Sequence, residues 1–173
     1  THLRGAHNAE NLMAAFAVGI TFKIDPQMMA NAVKDYRPPP HRCELVAVHS
    51  GVAWINDSKA TTLDAMEKAI NSVKKDHSII LIAGGKNKGS SFQPIFPLIK
   101  QRVKRAILIG EMSDAIATEW QGVLCNKASS LQEAVTMAGN FAAAGDTILL
   151  SPGTSSYDMF HDYVERGDVF KKA

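Results

Sequence analysis

Cysteine is almost absent: Cys43 and Cys125 are the only two among 173 residues, each alone in its segment. That count and spacing exclude a disulfide scaffold and a thiolate zinc site. The six histidines, His2, His7, His41, His49, His77 and His161, form no His-Glu-x-x-His pattern and no close pair, so a histidine zinc site is not expected either. Neither sign of charge dominates, with 19 Lys+Arg against 17 Asp+Glu. A strongly basic nucleic-acid binder is thereby excluded on composition, and no nucleic-acid partner is expected. Long apolar runs are missing too, none approaching the roughly 18 residues of a membrane span. The apolar stretch Met13 to Ile20 follows Glu10 and Asn11 and precedes Asp25-Pro26, which reads as a buried helix and not as a secretory signal. A cytoplasmic protein without a membrane partner is expected.

Several catalytic motifs are also missing. Gly84 to Ser90 does not fit the P-loop pattern G-x-x-x-x-G-K-[ST], no G-x-G-x-x-G follows a strand, and no G-x-S-x-G marks an esterase. What remains is ordinary globular texture, with 46% hydrophobic and 21% charged residues.

Near the start, Leu12, Ala15, Phe16 and Gly19 share one face of a helix over residues 8–19, with Asn8 as its expected N-cap. Asp25-Pro26 then reads as N-cap and first-turn proline of a second helix reaching about Asp35. Pro38-Pro39-Pro40 cannot continue a helix, so a domain boundary is placed there. Beyond it, residues 45–49 and 52–55 flank Ser50-Gly51 as a hairpin. Thr61 to Asp64 resembles a capping box opening a helix through Met66, Ala69, Ile70 and Val73. Buried strands are expected at residues 78–83, 106–109 and 147–150, with a shorter one near 123–125. Helices over 113–120 and 130–143 alternate with them, the second opened by a Ser130/Glu133 capping box. This alternation predicts an α/β, Rossmann-like, mostly parallel sheet with flanking helices.

In such sheets ligands gather at the carboxyl ends of the strands. Three unusual stretches fall there: Asn56 to Thr61, Gly84 to Ser90, and Ser151 to Asp158. Each combines small residues, hydroxyls or lysines with free N–H groups, the equipment for holding a carboxylate or phosphate. Plainer readings stay open. Asp57, Ser58 and Thr61 serve equally as helix caps, Lys86 and Lys88 as solvated loop charges, and Arg42 as a surface charge.

Taken in order, these stretches resemble one family. Gly5 to Asn11, Pro40-His41-Arg42, Asn56 to Thr61, Gly84-Gly85 with Lys88-Gly89, Leu150-Ser151-Pro152, Ser156 to Phe160 and Glu165-Arg166-Gly167 together are similar to the Mur ligases. The Asp57-Ser58-Lys59-Ala60-Thr61 string is closest to members that add D-glutamate. Thr62 and Asn87 depart from that pattern, where Asn and Asp are usual.

The resemblance implies a helical end of a central ATPase domain at residues 1–37, a Pro-rich hinge at 38–41, and a C-terminal amino-acid-binding domain at 42–173. A chain opening on Thr1 is then expected to be part of a longer ligase and inactive alone. The implied reaction is ATP-dependent amide formation, adding D-glutamate to UDP-N-acetylmuramoyl-L-alanine through an acyl phosphate. ATP and Mg2+ would be held mainly by the central domain, and no metal ligands are expected in this chain. The resemblance further implies that Asn8, Asn11, Arg42 and Asp57 meet the nucleotide, while Lys59, Thr61, Lys88, Ser156, Tyr157 and Tyr163 bind D-glutamate. Lys59, Lys88 and His41 are the expected catalytic residues, and a monomer is expected. A folyl-polyglutamate synthase-like ligase and a non-catalytic binding module remain alternatives.

Overall fold

The computed structural model describes residues 6–173. Thr1, His2 and Gly5, which belong to the expected opening, lie outside the described residues. The chain divides into two compact units, one closing at Pro40 and the other spanning His41 to Ala173.

The first unit holds α1 (Ala6–Thr21) and α2 (Pro26–Asp35), which meet where Met29 packs on Gly19. Asp25 caps α2, its Oδ1 accepting the N–H groups of Gln27 and Met28 at 2.9 and 3.0 Å. Pro26 follows at the first helical position, where its missing N–H leaves no bond unmade. The expected cap on α1 is corrected: Asn8 lies inside that helix, in its first turn.

The second unit is built on a six-stranded sheet ordered β1-β2-β6-β3-β4-β5. The strands are β1 (Glu44–His49), β2 (Val52–Asn56), β3 (Ile79–Gly84), β4 (Val103–Ile109), β5 (Cys125–Lys127) and β6 (Thr147–Leu150). Only β1 and β2 pair antiparallel; the remaining pairs are parallel. Their hairpin turns through Ser50 and Gly51 at φ 50° and 77°, the positive values a type I′ turn needs. The short strand comes two residues later than expected, at Cys125–Lys127, because Val123 still belongs to the turn after Trp120.

The helices are α3 (Leu63–Ser72), α4 (Phe96–Arg102), α5 (Ser113–Glu119), α6 (Leu131–Phe141) and α7 (Tyr163–Lys172), with a single 3-10 turn at Gln93–Ile95. All six residues of β3 are buried, since helices cover both faces of the sheet. Ile79, Leu81 and Ala83 join Met66 and Ile70 of α3, Ile99 of α4 and Ile116 of α5. Ile80 and Ile82 point the other way, to Leu131, Ala134 and Ala138 of α6 and Phe170 of α7.

Two capping boxes are modified. Thr62, not Thr61, caps α3, accepting Ala65 N–H at 3.3 Å, while Asp64 pairs with Lys68. Ser130 caps α6 as expected, but the Glu133 carboxylate reaches one residue further back, to Ser129 N–H and Oγ. No helix among the described residues is long and apolar enough to cross a membrane.

Candidate active site at the carboxyl edge of the sheet

β2, β3 and β6 end together, so the three stretches singled out in sequence emerge side by side. Their backbones are stitched directly. Asp57 N–H donates to Leu150 O at 2.8 Å, Gly84 N–H to Pro152 O at 3.0 Å, and Gly153 N–H to Ala60 O at 2.9 Å.

Asp57 does not cap α3. It is 7% exposed, its Oδ1 accepts Cys43 N–H at 3.0 Å and its Oδ2 accepts Ser151 Oγ–H at 3.0 Å. Burial raises its pKa from 3.8 to about 6, against the opposing pull of those hydrogen bonds and of nearby Arg42. The Cys43 thiol beside it is pushed up to about 12, burial first and the Asp57 charge second. That makes it an inert thiol. The folded-state pKa of Asp57 lies above its unfolded value, so its contribution to stability is fully present below about pH 4. It is lost as pH rises through about 6. Asp57→Asn removes this dependence and should be more stable than the parent chain by ~2 kcal/mol at pH 8. The gain should vanish near pH 4, as read from urea midpoints across that range.

Lys59 is half-buried, its N–H tied to His41 O at 3.0 Å. Its Nζ sits 3.9 Å above the centre of the Tyr163 ring, a cation–π contact that orients the ammonium without neutralising it. Thr61 follows through a tight turn, its N–H on Lys59 O at 2.8 Å.

Sequence reasoning did not single out Arg166 as a site residue. It is fully buried and clamps two of the three loops together. Nε donates to Ser58 Oγ at 3.0 Å and Nη2 to Ser58 O at 2.8 Å. Nη1 and Nη2 both reach Thr154 O at 3.2 Å. Ser58 Oγ–H in turn donates to Tyr163 O at 2.7 Å, so α7, the Lys59 loop and the Ser151–Ser156 loop share one node. Burial lowers the Arg166 pKa to about 10, with Asp158 supporting the charge. The cation persists at neutral pH.

His41 is 5% exposed and adopts φ 64°. Its Nδ1 faces Asn56 Nδ2 at 3.0 Å. Because Asn56 Oδ1 accepts Ser58 N–H, Nδ2 is the donor, Nδ1 the acceptor, and the proton belongs on Nε2. That nitrogen lies 3.8 Å from Asp168 Oδ1. Helix α7 reaches this ring only because residue 167 lacks a side chain: a Cβ on Gly167 would stand 2.1 Å from His41 Nδ1. His41 is thus held as a latch between α7 and β2.

The remaining expected residues are more dispersed. Ser156 is buried and Tyr157 is 70% exposed. Arg42 is exposed, and Lys88 stands exposed on the loop after β3. Asn8 and Asn11 lie on α1, in the other unit. An open cleft of 610 Å³ lies at the ends of β4 and β5, lined by Ser113, Asp114, Lys127, Ser129, Glu133 and Met159 among others. Its charges are already engaged: Lys127 pairs with Asp114, and Glu133 accepts hydrogen bonds from Ser129.

A buried carboxyl, a lysine oriented over an aromatic ring and a clamped set of strand-end loops mark the carboxyl edge of this α/β domain as its candidate site. Residues 41–154 match the family described as Mur ligase, glutamate ligase domain, and the chain belongs to that family. It is 42% identical over 168 residues to the UDP-N-acetylmuramoylalanine--D-glutamate ligase of Chlamydia caviae, covering 96% of this chain and 40% of that protein. Identity to the enzyme of the same description from Geotalea daltonii is also 42%, over 172 residues, covering 99% and 38%. The chain therefore spans about two-fifths of the length of these curated relatives. Among solved structures, UDP-N-acetylmuramate-alanine ligase from Thermotoga maritima shares the fold with a TM-score of 0.72 at 14% identity, covering 98% of this chain and 38% of its own. Folylpolyglutamate synthase from Mycobacterium tuberculosis, complexed with ADP, gives 0.71 at 14%, covering 96% and 40%.

Proposed function

We propose that this chain is the amino-acid-binding end of an ATP-dependent ligase that joins D-glutamate to UDP-N-acetylmuramoyl-L-alanine in peptidoglycan precursor synthesis. The observation that carries this reading is the Asp57 to Thr61 loop. Its lysine is oriented over Tyr163 while the two residues before it, Asp57 and Ser58, are locked to Ser151 and Arg166. Relatives of the same description at about 40% identity support it.

In the ligase, the muramoyl-alanine carboxylate attacks the γ-phosphate of ATP, giving an acyl phosphate and ADP. The amine of D-glutamate then attacks the acyl carbon, and phosphate leaves as the amide forms. Lys59 and Lys88 supply positive charge to the two carboxylates of D-glutamate, with Thr61, Ser156, Tyr157 and Tyr163 framing the pocket. Fixed cations in a partly desolvated rim stabilise anions that water would otherwise solvate. Arg42 and Asp57 serve the nucleotide after domain closure, and Asn8 and Asn11 its adenine. His41 acts as a positioning residue, because its ring is taken up by Asn56 and α7. Among the described residues no three His, Cys, Asp or Glu side chains gather as a metal site. The part proposed for this chain is binding and orientation.

The α1–α2 unit belongs, in this reading, to the end of the ATPase domain. Met13, Val18, Ile20, Phe22 and Met28 are each more than half exposed, an apolar surface that the rest of such a domain would cover. The ligase is proposed to be cytoplasmic and monomeric.

The test is an assay of the full-length enzyme with ATP and UDP-N-acetylmuramoyl-L-alanine, following phosphate release. Release with D-glutamate and none with L-glutamate is expected. Turnover of a folate with L-glutamate would instead support the folyl-polyglutamate synthase reading.

A further inference from the structure

We infer that Glu111 is a positioning residue for the amino-acid site, holding the loop of Lys88 in place against the loop of Ser156 and Tyr157. The inference rests on the proposed role of Lys88 as a D-glutamate ligand.

Glu111 stands just past β4, in the turn before α5. Both its carboxylate oxygens are spent on the two residues preceding Lys88: Oε1 accepts Lys86 Nζ at 2.7 Å and Oε2 accepts Asn87 N–H at 3.1 Å. Asn87 Oδ1 then accepts Gly89 N–H at 2.8 Å, so Lys88 is braced on either side. The same glutamate is tied to the third loop through its backbone, its N–H donating to Asp158 Oδ2 at 3.0 Å. That loop also meets the Lys88 loop directly. Lys86 N–H donates to Ser155 O at 2.9 Å, and Thr154 Oγ–H donates to Lys86 O at 2.8 Å. The approach is close enough that a Cβ on Gly110 would lie 2.1 Å from Asp158 Oδ2. Pairing holds the Lys86 ammonium above its usual pKa and the Glu111 carboxyl below its own, so both stay charged at neutral pH.

Both partners of this ion pair are 43% exposed, and exposed pairs add little to folding stability. Their effect belongs to geometry instead. A loop carrying Gly85 and Gly89 has many conformations available, and a ligand lysine at its centre binds well only when one of them is selected.

In the full-length ligase, Glu111→Ala should raise the KM for D-glutamate about tenfold. The KM for ATP and the thermal midpoint should stay at their parent values. Glu111→Gln still accepts the Asn87 N–H and should recover part of the loss. An unchanged D-glutamate KM in Glu111→Ala, or equal rises for D-glutamate and ATP, would overturn the inference. Lys88→Ala measured alongside separates the two levels. If it raises the D-glutamate KM while Glu111→Ala does not, only the role of Glu111 fails. If Lys88→Ala also leaves that KM unchanged, the reading of the site itself fails.

Discussion

Replacing Arg166 with alanine should destabilise the second unit by about 4 kcal/mol, because it breaks a buried charge network. The guanidinium is fully buried and makes four hydrogen bonds, two to Ser58 and two to Thr154 O. Truncation strips donors from three buried oxygens and leaves a void where a large side chain stood. Removing a partner costs more than the intact bond contributes, since the orphaned acceptors stay desolvated. The shift should read as a fall in thermal midpoint of about 15 °C. Arg166→Lys keeps the charge but cannot span Ser58 and Thr154 together, and should lose roughly half as much. A loss below about 1 kcal/mol for Arg166→Ala would show that the loops are held by their backbone bonds alone.

The second large effect is catalytic. Lys59→Ala in the full-length ligase should lower kcat/KM for D-glutamate by about 10- to 100-fold, the worth of one charged hydrogen bond. Lys59 forms no ion pair among the described residues, and its ammonium is fixed over Tyr163 at 3.9 Å. An oriented, unneutralised cation is ready for an incoming carboxylate. Folding should be little affected, because the backbone bonds of Lys59 to His41 and Thr61 survive the substitution. Steady-state kinetics with D-glutamate varied at saturating ATP reads the effect.

Much of the fold was legible because its signals are local. Ile79 to Ala83 and Ile148 to Leu150 are continuous apolar runs, closed by Gly84 and by Ser151-Pro152, and both lie in strands. Ser50-Gly51 announced its hairpin, and Asp25-Pro26 its helix start. Elements whose burial is not apolar stayed hidden. Helix α7 buries Arg166, Gly167 and Phe170, a face with no hydrophobic period to read. Helix α4 follows Pro94 and carries Pro97 in its first turn, positions where proline marks a helix start.

The site was legible in part for the same reason. Asp57, Ser58 and Lys59 are adjacent in sequence and announced themselves together. Arg166 acts on oxygens 108 and 12 residues away, a relation only the fold creates. Its sequence trace was the Glu165-Arg166-Gly167 string, matched as a family feature without a physical role. Asp57 likewise looked like a helix cap, and only the approach of Cys43 and Ser151 shows a buried carboxylate.

The most direct test of the account is the KM for D-glutamate in the full-length ligase carrying Lys59→Ala, Lys88→Ala, or both. Each single change should raise it at least tenfold with the KM for ATP unmoved, and the pair should raise it further. A KM for D-glutamate that stays at the parent value in both single variants would contradict the account, since the guest would then be held elsewhere.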